Sequence, residues 1–203
     1  MNPAKQRVFF VMNQALRQQL RQQRRMLSPH QQKSHAQHLA RHLGHHPRFL
    51  RSQHIACYLA NDGELDLKPL INKLWGMGKS CYLPVLQAHR QALWFCPYTP
   101  DSVMQKNHFG ILEPQNRTAM RPPWALDMVL MPLVGFDAMG NRLGMGGGFY
   151  DRSFAYLQRN TYYQQPTLVG VAHQLQQVGT LQGNFWDVPM RLFATEKGVF
   201  DCT

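Results

Sequence analysis

Apolar residues recur at helical spacing over the first quarter of the chain and in shorter, denser runs afterwards. Leu16, Leu20 and Leu27 stand among Gln and Arg from Asn13 to Leu27, which predicts a helix with one apolar stripe. Ser28-Pro29-His30-Gln31 then reads as a second helix start. The Ser28 side chain can accept from the backbone at the third helical position, Gln31 can reach back, and Pro29 suits the first turn. This helix is expected to run to about Leu43 and close at Gly44. From His54 to Ala60 the pattern changes to that of a buried strand, followed by a helical stretch from Leu65 to Met77 that ends at Gly78. Further strands are predicted at Ser80 to Leu86, Ala92 to Tyr98, Met128 to Val134, Thr167 to Ala172 and Leu192 to Thr195, with helical pattern between Phe149 and Gln158. Strands alternating with helices predict an α/β sheet covered on both faces.

At 203 residues, 44% of them hydrophobic and 16% charged, the chain is of a size and composition that one core can serve. The polar, proline-rich stretch from Pro114 to Pro123 reads as a surface loop, because neither side of it makes a complete α/β unit. One domain over residues 1–203 is expected, with a basic helical segment at about 1–52. No apolar run approaches the roughly 20 residues of a bilayer-spanning helix, and the first stretch lacks the features of a secretory signal. A soluble cytoplasmic protein is therefore expected. Cys57, Cys81, Cys96 and Cys202 are widely spaced and form no CxxC pair, so they read as reduced thiols.

Charge divides the chain sharply. Of the formal +11, the stretch from Met1 to Asn61 carries +10, with ten Lys or Arg and no acidic residue. Such a segment can bind nucleic acid, attract an anionic membrane, serve as a transit peptide, or form a helical face beside a site for small anions. Composition does not choose among these, although Gln outnumbers Ser and the helical spacing continues onward, against a cleavable leader.

The richest stretch for chemistry runs from Phe136 to Asp151, where Gly144, Gly146, Gly147 and Gly148 lie between a predicted strand and a helical pattern. Without Cβ atoms such a loop can turn several N–H groups toward one centre, an arrangement that suits phosphate or serves simply as a flexible connection. The dinucleotide fingerprint fails, because Phe149 occupies its last glycine position, and no Gly-Lys-Ser or Gly-Lys-Thr is present for a P-loop. Asp151, directly after the glycines, could hold Mg²⁺ beside a phosphate or complement a helix dipole. Asp187 sits in apolar company, and Asn61-Asp62-Gly63-Glu64-Leu65-Asp66 gathers three acids just past a predicted strand, where open α/β sheets place their ligands. His38, His42, His45 and His46 have no neighbouring carboxylate or cysteine in sequence and read as a solvated helical face. No Ser stands in a nucleophile elbow and no Cys in an obvious catalytic setting.

Phe136-Asp137, Gly140, Arg142-Leu143-Gly144, Gly146, Gly148 and Tyr150-Asp151 follow, in order and spacing, the glycine-rich signature of the 5-formyltetrahydrofolate cyclo-ligases, also called methenyltetrahydrofolate synthetases. Leu16-Arg17, Leu59 with Glu64, Pro84, Glu113-Pro114 and Trp186-Asp187 extend the resemblance over almost the whole chain. The resemblance implies a NagB/RpiA-like single domain, with a mixed or parallel sheet and helices on both faces. It implies ATP- and Mg²⁺-dependent cyclisation of 5-formyltetrahydrofolate to 5,10-methenyltetrahydrofolate, releasing ADP and phosphate. Arg17, Arg142, Leu143, Gly144, Met145, Gly146, Gly147, Gly148, Phe149 and Tyr150 match ATP-binding positions. Leu59 and Glu64 match folate-contacting positions, Asp151 and Asp187 match magnesium-binding ones, and Arg142, Tyr150 and Asp151 are the implied catalytic residues. Asn13 and Gly147 stand where many relatives carry lysine, and Lys5, Arg7 or Arg21 are the candidates to restore that charge.

A formamide oxygen leaves poorly. The implied route therefore has ATP phosphorylate it, the second folate nitrogen attack the activated carbon, and phosphate depart, with no protein nucleophile. The expected partners are MgATP and a mono- or polyglutamylated folate, bound by a monomer without nucleic acid or membrane. The competing readings are a nucleic-acid-binding protein using the basic segment, and a sugar-phosphate isomerase or acyl-CoA transferase on a related sheet.

Overall fold

The structure, a computed structural model, describes residues 3–87, 90–107, 110–159, 165–183 and 186–202. The chain begins with α1 (Pro3–Arg25), on which Leu20 is buried and Leu16 half-buried. α2 (Pro29–Leu43) starts at the cap read from the sequence: Ser28 Oγ accepts from Gln31 N at 3.2 Å, and Gln31 Oε1 accepts from Ser28 N at 2.9 Å. Its buried residues Ala36, Leu39, Ala40 and Leu43 lie at i, i+3, i+4 and i+7, one apolar stripe. The short α3 (Pro47–Arg51) buries Phe49.

The rest of the chain builds the sheet. β1 (His54–Ala56), α4 (Lys68–Gly76), β2 (Ser80–Gln87) and β3 (Arg90–Tyr98) are followed by a small hairpin of β4 (Met104–Lys106) and β5 (Leu112–Pro114). Then come β6 (Met128–Pro132), a second hairpin of β7 (Gly135–Phe136) and β8 (Arg142–Leu143), α5 (Phe149–Phe154), α6 (Tyr156–Arg159), β9 (Thr167–Val171), β10 (Leu192–Thr195) and β11 (Gly198–Asp201). The main sheet has seven strands in the order β11-β10-β9-β6-β1-β2-β3. From β10 to β2 the strands run parallel, and β11 and β3 close the two edges antiparallel.

Alternate residues along the parallel strands face opposite cores, as the pleat requires. Ile55, Cys81, Leu83, Met128, Leu130, Val169, Val171, Leu192 and Ala194 pack with the apolar stripes of α2 and α4. Ala56, Tyr82, Val129, Met131, Leu168 and Phe193 pack on the other side with Phe154 of α5. Burial on both faces is why these strands read as continuous apolar runs.

Several boundaries differ from the sequence expectation. β1 stops at Ala56 rather than Ala60; Cys57 N still bonds to Tyr82 O at 2.8 Å, after which Tyr58 turns its hydroxyl onto Leu65 O at 2.7 Å. α4 starts at Lys68 rather than Leu65, because Asp66 Oδ1 accepts from Lys68 N at 2.9 Å and Pro69 enters the first turn. The helical stretch after the glycines breaks into two short pieces at Ala155. Among the described residues, no helix is long and apolar enough to cross a membrane.

The chain leaves β1 through α4 to reach β2 on one side, and later places β6 on the other side of β1. The order reverses there, and open α/β sheets form their ligand crevice outside the carboxyl ends of the strands at such a reversal.

Candidate active site

At that reversal lies a cleft of about 600 Å³. Its walls come from α1, the segment after β1, the end of β6, the β4–β5 hairpin, residues 142–151 and residues 186–187. A second hollow of about 520 Å³, between residues 97–103 and 114–119, holds none of the candidate site residues.

The glycine loop is set from below by Asp137. This carboxylate is fully buried and accepts from Met139 N, Asn141 N, Asn141 Nδ2 and Leu181 N at 3.0, 2.9, 2.9 and 2.8 Å. Burial alone would raise its pKa, but the bonds from Asn141, Leu181 and Met139 outweigh that and hold it below the ordinary carboxylate value. With the β7–β8 turn fixed, residues 144–148 pass along the cleft. Gly146 has φ 96° and Gly148 φ 62°, conformations that glycine adopts without steric cost. A Cβ at Gly146 would meet nothing within 4 Å. No hydrogen bond among the described residues uses the N–H groups of residues 144–148. α5, which follows, has only six residues, so its dipole adds less than the sequence pattern implied and the loop amides carry the donor capacity.

α1 forms the facing wall. Arg17, Arg21 and Arg24 fall at i, i+4 and i+7, one face of the helix. Arg17 Nε donates to Gly144 O at 2.8 Å and so ties α1 to the glycine loop; burial lowers its pKa from the ordinary arginine value. Arg24 is 1% exposed and donates to Asp62 O at 2.8 Å, Asp62 Oδ2 at 3.0 Å and Leu133 O at 3.2 Å. Arg21 Nε reaches Asp62 Oδ2 at 2.7 Å, and Arg25 pairs with the same carboxylate. Burial tends to raise the Asp62 carboxyl, but hydrogen bonds from Arg21 and Arg25 and the charges of Arg21 and Arg24 hold it below its ordinary value. Asp62 and Gly63 take φ 54° and 74°, and a Cβ on Gly63 would stand 3.2 Å from Arg24 O, so glycine lets the loop close against α1. Glu64 lies beside them with its carboxyl raised by burial, an effect that the Asn61 N–H bond and Arg24 only partly oppose.

All the candidate residues line this one cleft: Arg17, Leu59, Glu64, residues 142–151 and Asp187. Two are already engaged with each other. Arg142 bonds through its guanidinium to Asp151 Oδ1 and to Val188 O, and Val188 N donates to the same Asp151 oxygen at 3.2 Å. This bridge brings the segment with Asp187 beside Asp151, whose Oδ2 takes no hydrogen bond among the described residues. Burial raises the Tyr150 phenol above its ordinary value, so it stays an O–H donor at neutral pH. Of the candidates to replace the missing lysines, Arg21 is in the cleft but paired with Asp62; the side chains of Lys5 and Arg7 lie outside the described residues, as do Asn184 and Phe185 beside the Trp186-Asp187 motif.

Sequence reading missed Arg24, although its spacing from Arg17 and Arg21 was the available signal. It also missed Ile111 and Leu112, exposed apolar residues that rim the cleft from a hairpin the sequence pattern did not reveal.

The 5-formyltetrahydrofolate cyclo-ligase family model matches residues 11–196. The 5-formyltetrahydrofolate cyclo-ligase of Escherichia coli K12 is 41% identical over 184 residues, covering 90% of this chain and 99% of its own. That of Haemophilus influenzae is also 41% identical, over 179 residues, with 87% and 94% covered. The NMR structure of Aquifex aeolicus 5,10-methenyltetrahydrofolate synthetase has the same fold, with a TM-score of 0.78 at 29% identity over 94% of this chain and 93% of that one. The matched span reaches from α1 to the turn after β10 and takes in every wall of the cleft. The chain belongs to the 5-formyltetrahydrofolate cyclo-ligase family.

Proposed function

We propose that this cleft converts 5-formyltetrahydrofolate to 5,10-methenyltetrahydrofolate at the expense of ATP, through a phosphorylated formyl intermediate. The observation that carries the reading is the run of unengaged amides at 144–148, lining the same cleft as Glu64 and an apolar wall of Leu59, Leu83, Pro84 and Leu93. One side is built for phosphate and the other for a flat heterocycle with polar edges.

In this reading Arg17 and the loop amides hold the β- and γ-phosphates, and Gly146 leaves the room they need. The donor set fits magnesium: Asp151 offers a free hard oxygen, and Asp187 stands beside it. Bound there, Mg²⁺ would offset phosphate charge during transfer. Arg142 acts on Asp151, fixing its direction through the bridge to Val188 O. Leu59 packs against the pterin ring, and the Glu64 carboxylate accepts from its N–H groups. Alignment of the formyl oxygen with the γ-phosphate lets oxygen attack phosphorus and release ADP. N10 then attacks the activated carbon, the C–O bond to the phosphate breaks, and the N10 proton is lost to solvent. The apolar wall and Trp186 keep water from the activated carbon in the interval.

One spectrophotometric assay tests this. The chain mixed with 5-formyltetrahydrofolate should develop the methenyl absorbance only when both ATP and Mg²⁺ are present. Asp151→Asn should lower kcat on the order of 100-fold with its folded far-UV spectrum retained. Turnover without nucleotide, or wild-type rates in Asp151→Asn, would overturn the reading.

A further inference from the structure

Three side chains from distant parts of the sequence meet outside the cleft, and the mechanism above uses none of them. We propose that His35, His173 and Glu196 form a binding site for a divalent transition-metal ion of the zinc class, linked to the catalytic cleft through Gly63.

The fold makes this meeting. His173 follows β9 and Glu196 follows β10, so two adjacent parallel strands deliver them at the same edge of the sheet. α2 packs across β10 and brings His35 over them. His35 Nδ1 lies 3.0 Å from His173 Nδ1 and 3.9 Å from Glu196 Oε2, and the three donor atoms lie within 4.8 Å of one another. Two bonds of 2.0–2.1 Å at a tetrahedral angle separate ligand atoms by about 3.3 Å, so sub-ångström shifts of these side chains would close the first two spacings around one ion.

Chemistry points the same way. His173 is fully buried, and its Nε2 faces the carbonyl of Gly63 at 3.2 Å. A carbonyl only accepts, so Nε2 carries the proton and the Nδ1 lone pair faces His35. A ring whose far N–H is spent on a backbone carbonyl is the arrangement that orients metal-ligating histidines. The Glu196 carboxylate is 6% exposed; it accepts from Gln174 N at 2.9 Å and, among the described residues, makes no ion pair except with the His35 ring. The buried carboxylate faces two imidazole rings, a donor set of one oxygen and two nitrogens that a divalent cation would hold together. On binding, His35 would turn its Nδ1 lone pair to the ion and carry its N–H on Nε2 instead. Two imidazole nitrogens and one carboxylate suit zinc, cobalt or nickel rather than magnesium, which prefers oxygen throughout. An ion here would hold His173 on Gly63 and so stiffen the turn that presents Asp62 and Glu64 to the cleft.

The test uses the full-length chain without a polyhistidine tag, stripped with chelator and titrated with Co²⁺ and then Zn²⁺. One equivalent of Co²⁺ should produce the visible absorption of a four- or five-coordinate ion, and Zn²⁺ should abolish it. His35→Asn, at a half-buried position that tolerates polar replacement, should weaken affinity by at least about tenfold, and so should Glu196→Gln. His38→Ala/His42→Ala, which removes the exposed pair on α2, should leave affinity unchanged. Absence of the band, an affinity unaltered in His35→Asn, or a loss confined to the His38/His42 variant would overturn the proposal, the last by assigning the ion to the helix surface. Each readout is independent of turnover, so failure here leaves the cyclo-ligase reading untouched.

Discussion

Gly146 and Gly170 are both glycines, yet they meet opposite surroundings. A Cβ on Gly170 would stand 2.6 Å from Leu133 Cδ1 and Phe193 Cδ1, so that glycine lets β9 pack against β10 and the residue that follows β6. Gly146 has open space around its Cβ position and φ 96°, so a side chain there would be strained and, in the proposed reading, would project where the phosphates bind. Gly146→Val should therefore raise the KM for ATP by on the order of tenfold or more, at a stability cost of about 1–3 kcal/mol, while the KM for 5-formyltetrahydrofolate stays within twofold. Steady-state kinetics with each substrate varied in turn checks this, and an unchanged KM for ATP contradicts it. Glu64→Gln should show the reverse split, with folate KM raised and ATP KM unaffected. Because burial raises the Glu64 carboxyl, the ionised form that in the proposed reading accepts pterin N–H groups fills only above the ordinary glutamate range. Folate KM in the wild type should fall as pH rises through that raised value, and the Gln variant should be flat over the same window.

At the scale of elements, α1 joins the body through Leu20, through Arg17 on Gly144 O, and through one carboxylate, Asp62, shared among three arginines. Arg24 is the least exposed of them and keeps Leu133 O and a 3.7 Å approach to Glu64 when Asp62 is lost. Asp62→Asn should cost about 3 kcal/mol at neutral pH, the lower end for breaking a buried ion pair, read as a fall in the denaturation midpoint. Asp62 is held below its ordinary pKa, so its contribution is complete above the normal carboxylate range and vanishes as pH falls through the folded-state value. The gap between wild type and Asp62→Asn should close in acid; a gap constant with pH would show that the carboxylate charge is not what anchors α1. These ion pairs were invisible in the sequence, since Arg21 and Arg24 meet a residue 41 and 38 positions away. The α2 cap was legible because Ser28 and Gln31 make it within one turn, and the central strands were legible because burial on both faces leaves them uniformly apolar. β7 and β8, two residues each, are too short to carry a period, and β4 and β11 expose much of their length. Ala155 interrupts a helical pattern that Phe149, Phe154 and Leu157 maintain in sequence, because those residues pack onto the sheet from two separate short helices.

Over the whole molecule, the glycine loop and Asp151 could be read locally, whereas the cleft exists only because β1 and β6 lie side by side at the reversal of strand order. That placement also divides the +10 carried by residues 1–61. Arg17 and Arg21 line the cleft on α1, while Lys33, Arg41, Arg48 and Arg51 are exposed on the helices that follow. Apart from Arg142, which is paired with Asp151, the cations described at the cleft therefore come from α1, where Asp62 already offsets part of their charge. A folate bound with its pterin against Leu59 and Glu64 would leave its glutamate tail near that helix, and each added glutamate brings another carboxylate into the field. Polyglutamylated 5-formyltetrahydrofolate should show a KM a few-fold lower than the monoglutamate at low ionic strength. The advantage should fade as salt shortens the screening length to about 8–10 Å, with kcat unchanged because the tail does not touch the reacting atoms. Equal KM values for the two substrates in low salt would remove α1 from tail recognition and leave Arg17 and Arg21 with the nucleotide and Asp62 alone.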